Sequence, residues 1–159
     1  MPHLTINNMT STNKTRLFAV AVVLIVIPIG LFARSHRADA DPGTLLGFLA
    51  TYTGDTLWPI MFYFAGRFCF PNAKFVSLLA FVLILTLTLE FSQLWKPPLL
   101  QYLRRQPGIG FVLGSYFIWS DVICCFVGTV LALAIDLLRW RLFKTRLFKT
   151  ESENPITYR

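Results

Sequence analysis

The chain has 159 residues, 55% of them hydrophobic and only 14% charged, with a net charge of +7. Soluble domains average about 45–50% apolar and about 25% charged residues, so this balance excludes an ordinary soluble domain and indicates one integral membrane domain. The basic residues flank apolar segments and fill the C-terminal tail, which points to membrane topology and anionic lipid contact, not to nucleic acid.

Residues 1–15 are polar, rich in Asn and Thr, and read as a disordered tail. The apolar run Leu17 to Ala33 follows. It is longer than the roughly 7–15 residues of a signal-peptide core and ends in Arg34 instead of a small-residue cleavage pattern. A retained first span over about Arg16 to Ala33 is therefore expected, with Pro28 kinking its last turn. Residues 34–54 form a polar connection containing Arg34, His36, Arg37, Asp39 and Asp41. A shorter second helix is expected from Asp55 to Phe70, closed by Pro71-Asn72, and a third from Lys74 to Trp95, broken by Lys96-Pro97-Pro98. A loop with Arg104, Arg105, Pro107, Gly108 and Gly110 comes next.

Phe111 to Trp119 is apolar but contains glycine. It either extends the fourth helix or forms a short interfacial or re-entrant segment. Ser120 is a suitable N-cap and Asp121 stands in a first turn where the helix dipole favours an anion. The fourth helix is expected to end near Trp140. The tail, 141–159, repeats Arg-Leu-Phe-Lys-Thr at Arg141 and Arg146 and reads as a basic amphipathic extension on an anionic membrane surface. The fold class is thus all-α: a polytopic membrane helix bundle with four transmembrane helices over 16–140.

Cys69, Cys124 and Cys125 lie in apolar stretches without a CxxC pair, and His3 and His36 are the only histidines. A metal site, a disulfide framework and a cofactor are not expected; the cysteines read as small buried hydrophobes. Four spans put both termini on one side, and the larger share of Lys and Arg there favours the cytoplasm under the positive-inside rule.

Glu90 is the most informative residue. It stands inside the apolar run Phe75 to Leu94, with Gln93 one turn on. An acidic side chain at a bilayer centre costs roughly 2.5–3.5 kcal/mol, less towards the interfaces, so such a residue marks a functional or packing site. Counted from the cytoplasmic anchors, Arg34 is 18 residues beyond Arg16, Glu90 16 beyond Lys74, and Asp121 18 before Arg139. At 1.5 Å per residue these are about 27, 24 and 27 Å, near the far edge of a hydrocarbon core about 30 Å thick. Asp55, at the expected start of the second helix, joins the same layer. Arg34 and Arg104 can neutralise part of the charge on Asp55, Glu90 and Asp121. Trp58, Trp95 and Trp119 fall at this end as an aromatic belt would. Gly128-x-x-x-Ala132 permits close helix approach. Asp136, near the opposite end, is expected to pair with Arg139 or Lys74.

Together, Gly30-x-x-x-Arg34, Tyr52-x-Gly54-Asp55-x-Leu57-Trp58, Glu90-x-x-Gln93, Leu113-Gly114, Trp119-x-Asp121 and Gly128 resemble the DUF2809 family of small bacterial membrane proteins. Through Glu90-x-x-Gln93 and the later acid the chain is also distantly similar to VanZ-like membrane proteins. Their last helix shows Asp-x-x-x-Asn, where this chain has Cys125. The resemblance implies a bacterial inner-membrane bundle of four to five helices and no settled reaction.

Three functions fit these residues. The first is a polar outer-leaflet site, built from Arg34, Asp55, Glu90, Gln93, Arg104 and Asp121, that binds a lipid-linked or cell-envelope head group, since arginine forks suit phosphate and carboxylate. The second is an enzyme acting on such a lipid with Glu90 and Asp121 as acid and base, although no serine, cysteine or histidine stands in a nucleophilic arrangement. The third is a proton-coupled transporter, against which stand the small number of spans and the absence of acids at midplane.

Overall fold

In the computed structural model the described residues are 3–36, 43–106, 109 and 117–153. They form five α-helices: α1 His3–Ser35, α2 Leu45–Cys69, α3 Phe75–Ser92, α4 Pro98–Arg104 and α5 Trp119–Glu153. No strand occurs among the described residues. Stretches of α1, α3 and α5, namely Ser11–Ala33, Phe75–Ser92 and Trp119–Thr145, are long and apolar enough to cross a membrane.

The surface matches that solvent. Leu24, Phe32, Val76, Phe81, Ile84, Val130 and Leu138 are all exposed; outward-facing apolar side chains of this density suit lipid tails and not water. The core is a seam along α2. Ile60, Tyr63 and Phe64 pack with Ala19 and Val26 of α1, Leu78 and Val82 of α3, and Ala132 of α5. Helix α2 therefore touches every other long helix, while α3 also packs on α5.

Several boundaries differ from expectation. Helix α1 starts at His3, so the segment expected to be a disordered tail is helical; its inner end is held to α5 by Arg139, which donates to the Thr15 hydroxyl. Helix α1 also runs through Pro28 to Ser35. Helix α2 begins ten residues before Asp55: the Thr44 hydroxyl caps it by accepting from Gly47 N at 3.1 Å, and Leu45, Leu46, Phe48 and Leu49 continue its apolar surface. The polar run Thr51 to Thr56 lies inside the helix and does not end it. The loop after α3 contains α4, opened by Pro98 at its first position, where a missing N–H costs nothing. Helix α5 starts at Trp119, one residue before the expected cap, and continues through the basic repeat to Glu153. The stretch 110–116, where a re-entrant segment was an option, lies outside the described residues.

Gly128-x-x-x-Ala132 works as the sequence indicates. Gly128 sits against the Thr56 carbonyl and Pro59 ring of α2, and Ala132 is fully buried. The absence of side chains there is what lets α5 and α2 meet.

Candidate functional site

At the end of the bundle where α1 finishes and α3 ends, the carboxylates of Asp55, Glu90 and Asp121 come from α2, α3 and α5. All three lie within electrostatic range of the buried Cys124 thiol, and Glu90 and Asp121 within range of its neighbour Cys125. Thr56 is in hydrogen-bonding reach of Cys124, and Thr86 of Cys125. The acids separated by 35 and 31 positions in sequence thus converge around two small buried residues of α5.

The position of Asp55 changes the depth of this layer. It stands ten residues into α2, about 15 Å from the helix start, instead of at a helix end. Pro59, four residues later, has no N–H to give the Asp55 carbonyl, so the backbone as well as the side chain supplies an acceptor there.

Gln93 is the most constrained member. It is 5% exposed. Its Nε2 donates to Glu90 Oε2 at 2.8 Å, the pairing expected three residues apart on a helix. Its Oε1 has no hydrogen-bond partner among the described residues. Arg104 takes a different role from the one its charge suggested. Its guanidinium donates to Ser92 O at 2.7 Å and Trp95 O at 3.3 Å, closing the C-terminal turn of α3 from α4. Its buried Nε is left without a partner. Asp121 accepts from the Ser120 hydroxyl at 3.1 Å. The Arg34 backbone continues α1, but its side chain lies outside the description. Trp95 and Trp119 are exposed around this end, with Trp119 edge-on to Phe117.

The opposite end holds a second polar centre. Asp136 is fully buried and receives Arg67 Nε at 2.8 Å and Nη2 at 2.6 Å. It also receives Arg139 Nε at 3.0 Å and Nη2 at 2.9 Å, and the Tyr63 hydroxyl at 3.2 Å. Arg139 reaches Thr15 of α1 at 3.0 Å. Arg67 donates to Ala73 O at 2.6 Å and so staples the α2–α3 turn. One carboxylate therefore joins α1, α2, α5 and a turn. Of the two expected partners of Asp136, Arg139 is present. Arg67 takes the place considered for Lys74, because its 3% exposed side chain lies on the inner face of α2. The i,i+4 pair Tyr63 and Arg67 and the i,i+3 pair Asp136 and Arg139 are the signals the sequence offers. With every acceptor oxygen used on four elements, this centre is a clasp.

Among the described residues no group of His, Cys, Asp and Glu has the arrangement of a metal site. The polar layer gathers acids from three helices, an orphaned buried acceptor on Gln93 and an orphaned buried donor on Arg104. The class is that of an all-α protein whose apolar helices suit a membrane and whose polar groups gather at two levels. The sequence profile described as "Protein of unknown function (DUF2809)" matches residues 44–129, and the chain belongs to that family. The match covers α2 to the middle of α5, and with them Asp55, Glu90, Gln93, Arg104 and Asp121. No solved structure matches the fold.

Proposed function

We propose that the chain is a bacterial inner-membrane protein with four spans, α1, α2, α3 and α5, both termini cytoplasmic, whose polar layer binds a lipid-linked or cell-envelope head group. The observation that supports it is Gln93. A buried carbonyl oxygen without a donor costs about 1–3 kcal/mol, which offsets the one hydrogen bond that the same amide makes to Glu90. Such a group is explained by a ligand that donates to it. The amide that holds Glu90 then presents its other face to the same ligand, and Asp55 and Asp121 line the remaining sides.

The test is native mass spectrometry of purified protein after exposure to a polar lipid extract of the host envelope. Wild type should retain a discrete envelope lipid; Glu90→Ala and Gln93→Leu, folded by gel filtration, should lose it. Equal retention by all three would overturn the proposal. An enzyme with Glu90 and Asp121 as acid and base is the second reading, favoured by their shared approach to Cys125. Turnover of the retained lipid, abolished in each of Glu90→Gln and Asp121→Asn, separates it from binding alone.

A further inference from the structure

The end of the bundle that holds the clasp carries an excess of positive charge. Helix α1 has no acid, nor has the chain between Asp55 and Glu90, and between Asp121 and Glu151 the only acid is Asp136. The oxygens of Asp136 are taken by Arg67, Arg139 and Tyr63. Lys14 and Arg16 of α1 and Arg141 of α5 are exposed, and among the described residues no ion pair joins them to an acid.

Aromatic rings hold the cations of this end in place. Lys14 Nζ of α1 lies 5.3 Å from the centre of the Phe143 ring of α5, and the Arg139 guanidinium of α5 lies 5.5 Å from that of Phe18 on α1. Arg16 stands over Phe68 of α2 at 6.0 Å. Yet the backbones of α1 and α5 stay more than 8 Å apart throughout the described residues. The two helices are joined at this end by long side chains: Arg139 reaches the Thr15 hydroxyl at 3.0 Å, and Lys14 reaches Phe143. A ring face attracts a cation without offering an oxygen to its N–H groups. Lys14 and Arg16 are thus positioned by rings and keep their donors for an anion.

We infer that the rim between α1 and α5 at the clasp end is a docking site for an anionic phospholipid of the adjacent leaflet, with its phosphate on Lys14 and the charge of Arg16 and Arg141 beside it. The depth suits a head group. Lys14 and Arg16 border the apolar run of α1, and Arg141 lies in the last turns of the stretch Trp119–Thr145, where basic residues meet the membrane surface. A zwitterionic lipid brings its own cation with the phosphate, so net charge decides between the two lipid types. The site needs neither the polar layer at the opposite end nor the basic repeat beyond Thr145.

Trp140 reports on this rim. It is 46% exposed and stands three residues before Phe143, beside it on α5. The full chain carrying Trp58→Phe, Trp95→Phe and Trp119→Phe keeps Trp140 as the sole tryptophan. In nanodiscs of phosphatidylcholine, phosphatidylglycerol or phosphatidylcholine with the same brominated chain is added as a minor component. Brominated phosphatidylglycerol is expected to half-quench Trp140 at about fivefold lower mole fraction than brominated phosphatidylcholine, the preference that one Lys or Arg near an anionic surface supplies. Salt at about 1 M should erode that preference by screening. Lys14→Gln with Arg16→Gln should reduce it below about twofold, whereas Lys14→Arg with Arg16→Lys should keep it. Gln93→Leu in the polar layer and Arg105→Gln at the far end should leave it unchanged, so this site and the head-group site proposed above fail separately. Equal quenching by the two lipids in the parent chain overturns the inference. A preference that survives Lys14→Gln with Arg16→Gln overturns it too, and its loss in Arg146→Gln with Lys149→Gln would then assign the lipid to the tail.

Discussion

Replacing Asp136 by asparagine preserves volume and removes the charge that two guanidinium groups share. Breaking one side of a buried ion pair costs about 3–5 kcal/mol, because the partner stays buried and uncompensated. Here Arg67 is 3% exposed, whereas Arg139 is 21% exposed and can turn to water or lipid head groups. Arg67 also keeps the Ala73 and Pro71 carbonyls. Both facts place Asp136→Asn at the low end, about 3 kcal/mol, which is more than a hundredfold in the folded ratio. Replacing the pair together, Arg67→Met with Asp136→Leu, should recover most of that loss, since well-packed apolar substitutes for a buried pair are often neutral. Reversible unfolding in mixed micelles, read as a double-mutant cycle, checks both numbers. A loss below about 1 kcal/mol for Asp136→Asn, or additive losses in the double variant, would refute the clasp as the tie between helices.

Gly128→Ala should destabilise by about 1–3 kcal/mol, because its Cβ would collide with the Thr56 carbonyl and stand 3.1 and 3.2 Å from two carbons of the Pro59 ring; Gly30→Ala in the same assay should change stability little. Gln93→Leu should shift the stability of the lipid-free protein by less than about 1 kcal/mol, since it removes an unsatisfied acceptor along with one hydrogen bond, while lipid retention collapses; thermal unfolding with and without lipid separates the two effects. Thr44→Ala removes the cap of α2 and should cost about 1 kcal/mol, seen as faster hydrogen exchange over Leu45 to Leu49.

The sequence exposes most of the helices and part of the candidate site, with errors that have definite causes. Glu90 and Gln93 are readable as a pair because three residues on a helix bring side chains together, and Asp136 with Arg139 for the same reason. Arg67 was not, since its partner is 69 positions away and nothing local distinguishes it from a topology-setting cation. The start of α2 was misjudged because Thr51 to Thr56 is polar enough to imitate a boundary. The Thr44 cap and the apolar turn from Leu45 to Leu49 start the helix ten residues earlier and put Asp55 inside it. Arg104 read as a charge to set against the acids. Its actual use depends on α4, a single short helix that folds its guanidinium back onto the carbonyls of α3, and periodicity says little over seven residues.

Helix α2 touches all the other long helices, yet it is the long helix outside the three stretches apolar enough to cross alone. A helix carrying Asp55 near its middle and Arg67 in its last turn is poorly suited to a membrane by itself, since an aspartate at a helix centre costs about 2.5–3.5 kcal/mol on the insertion scale. In the fold it packs along α1, where Phe18 meets Phe64 edge to face at 5.8 Å. Apart from Asp136, which lies 69 residues later in the chain, Arg67 has the turn carbonyls and the Tyr63 hydroxyl. The clasp is thus complete only when the last long helix is in place, because the cation of the second helix is neutralised by an acid of the last.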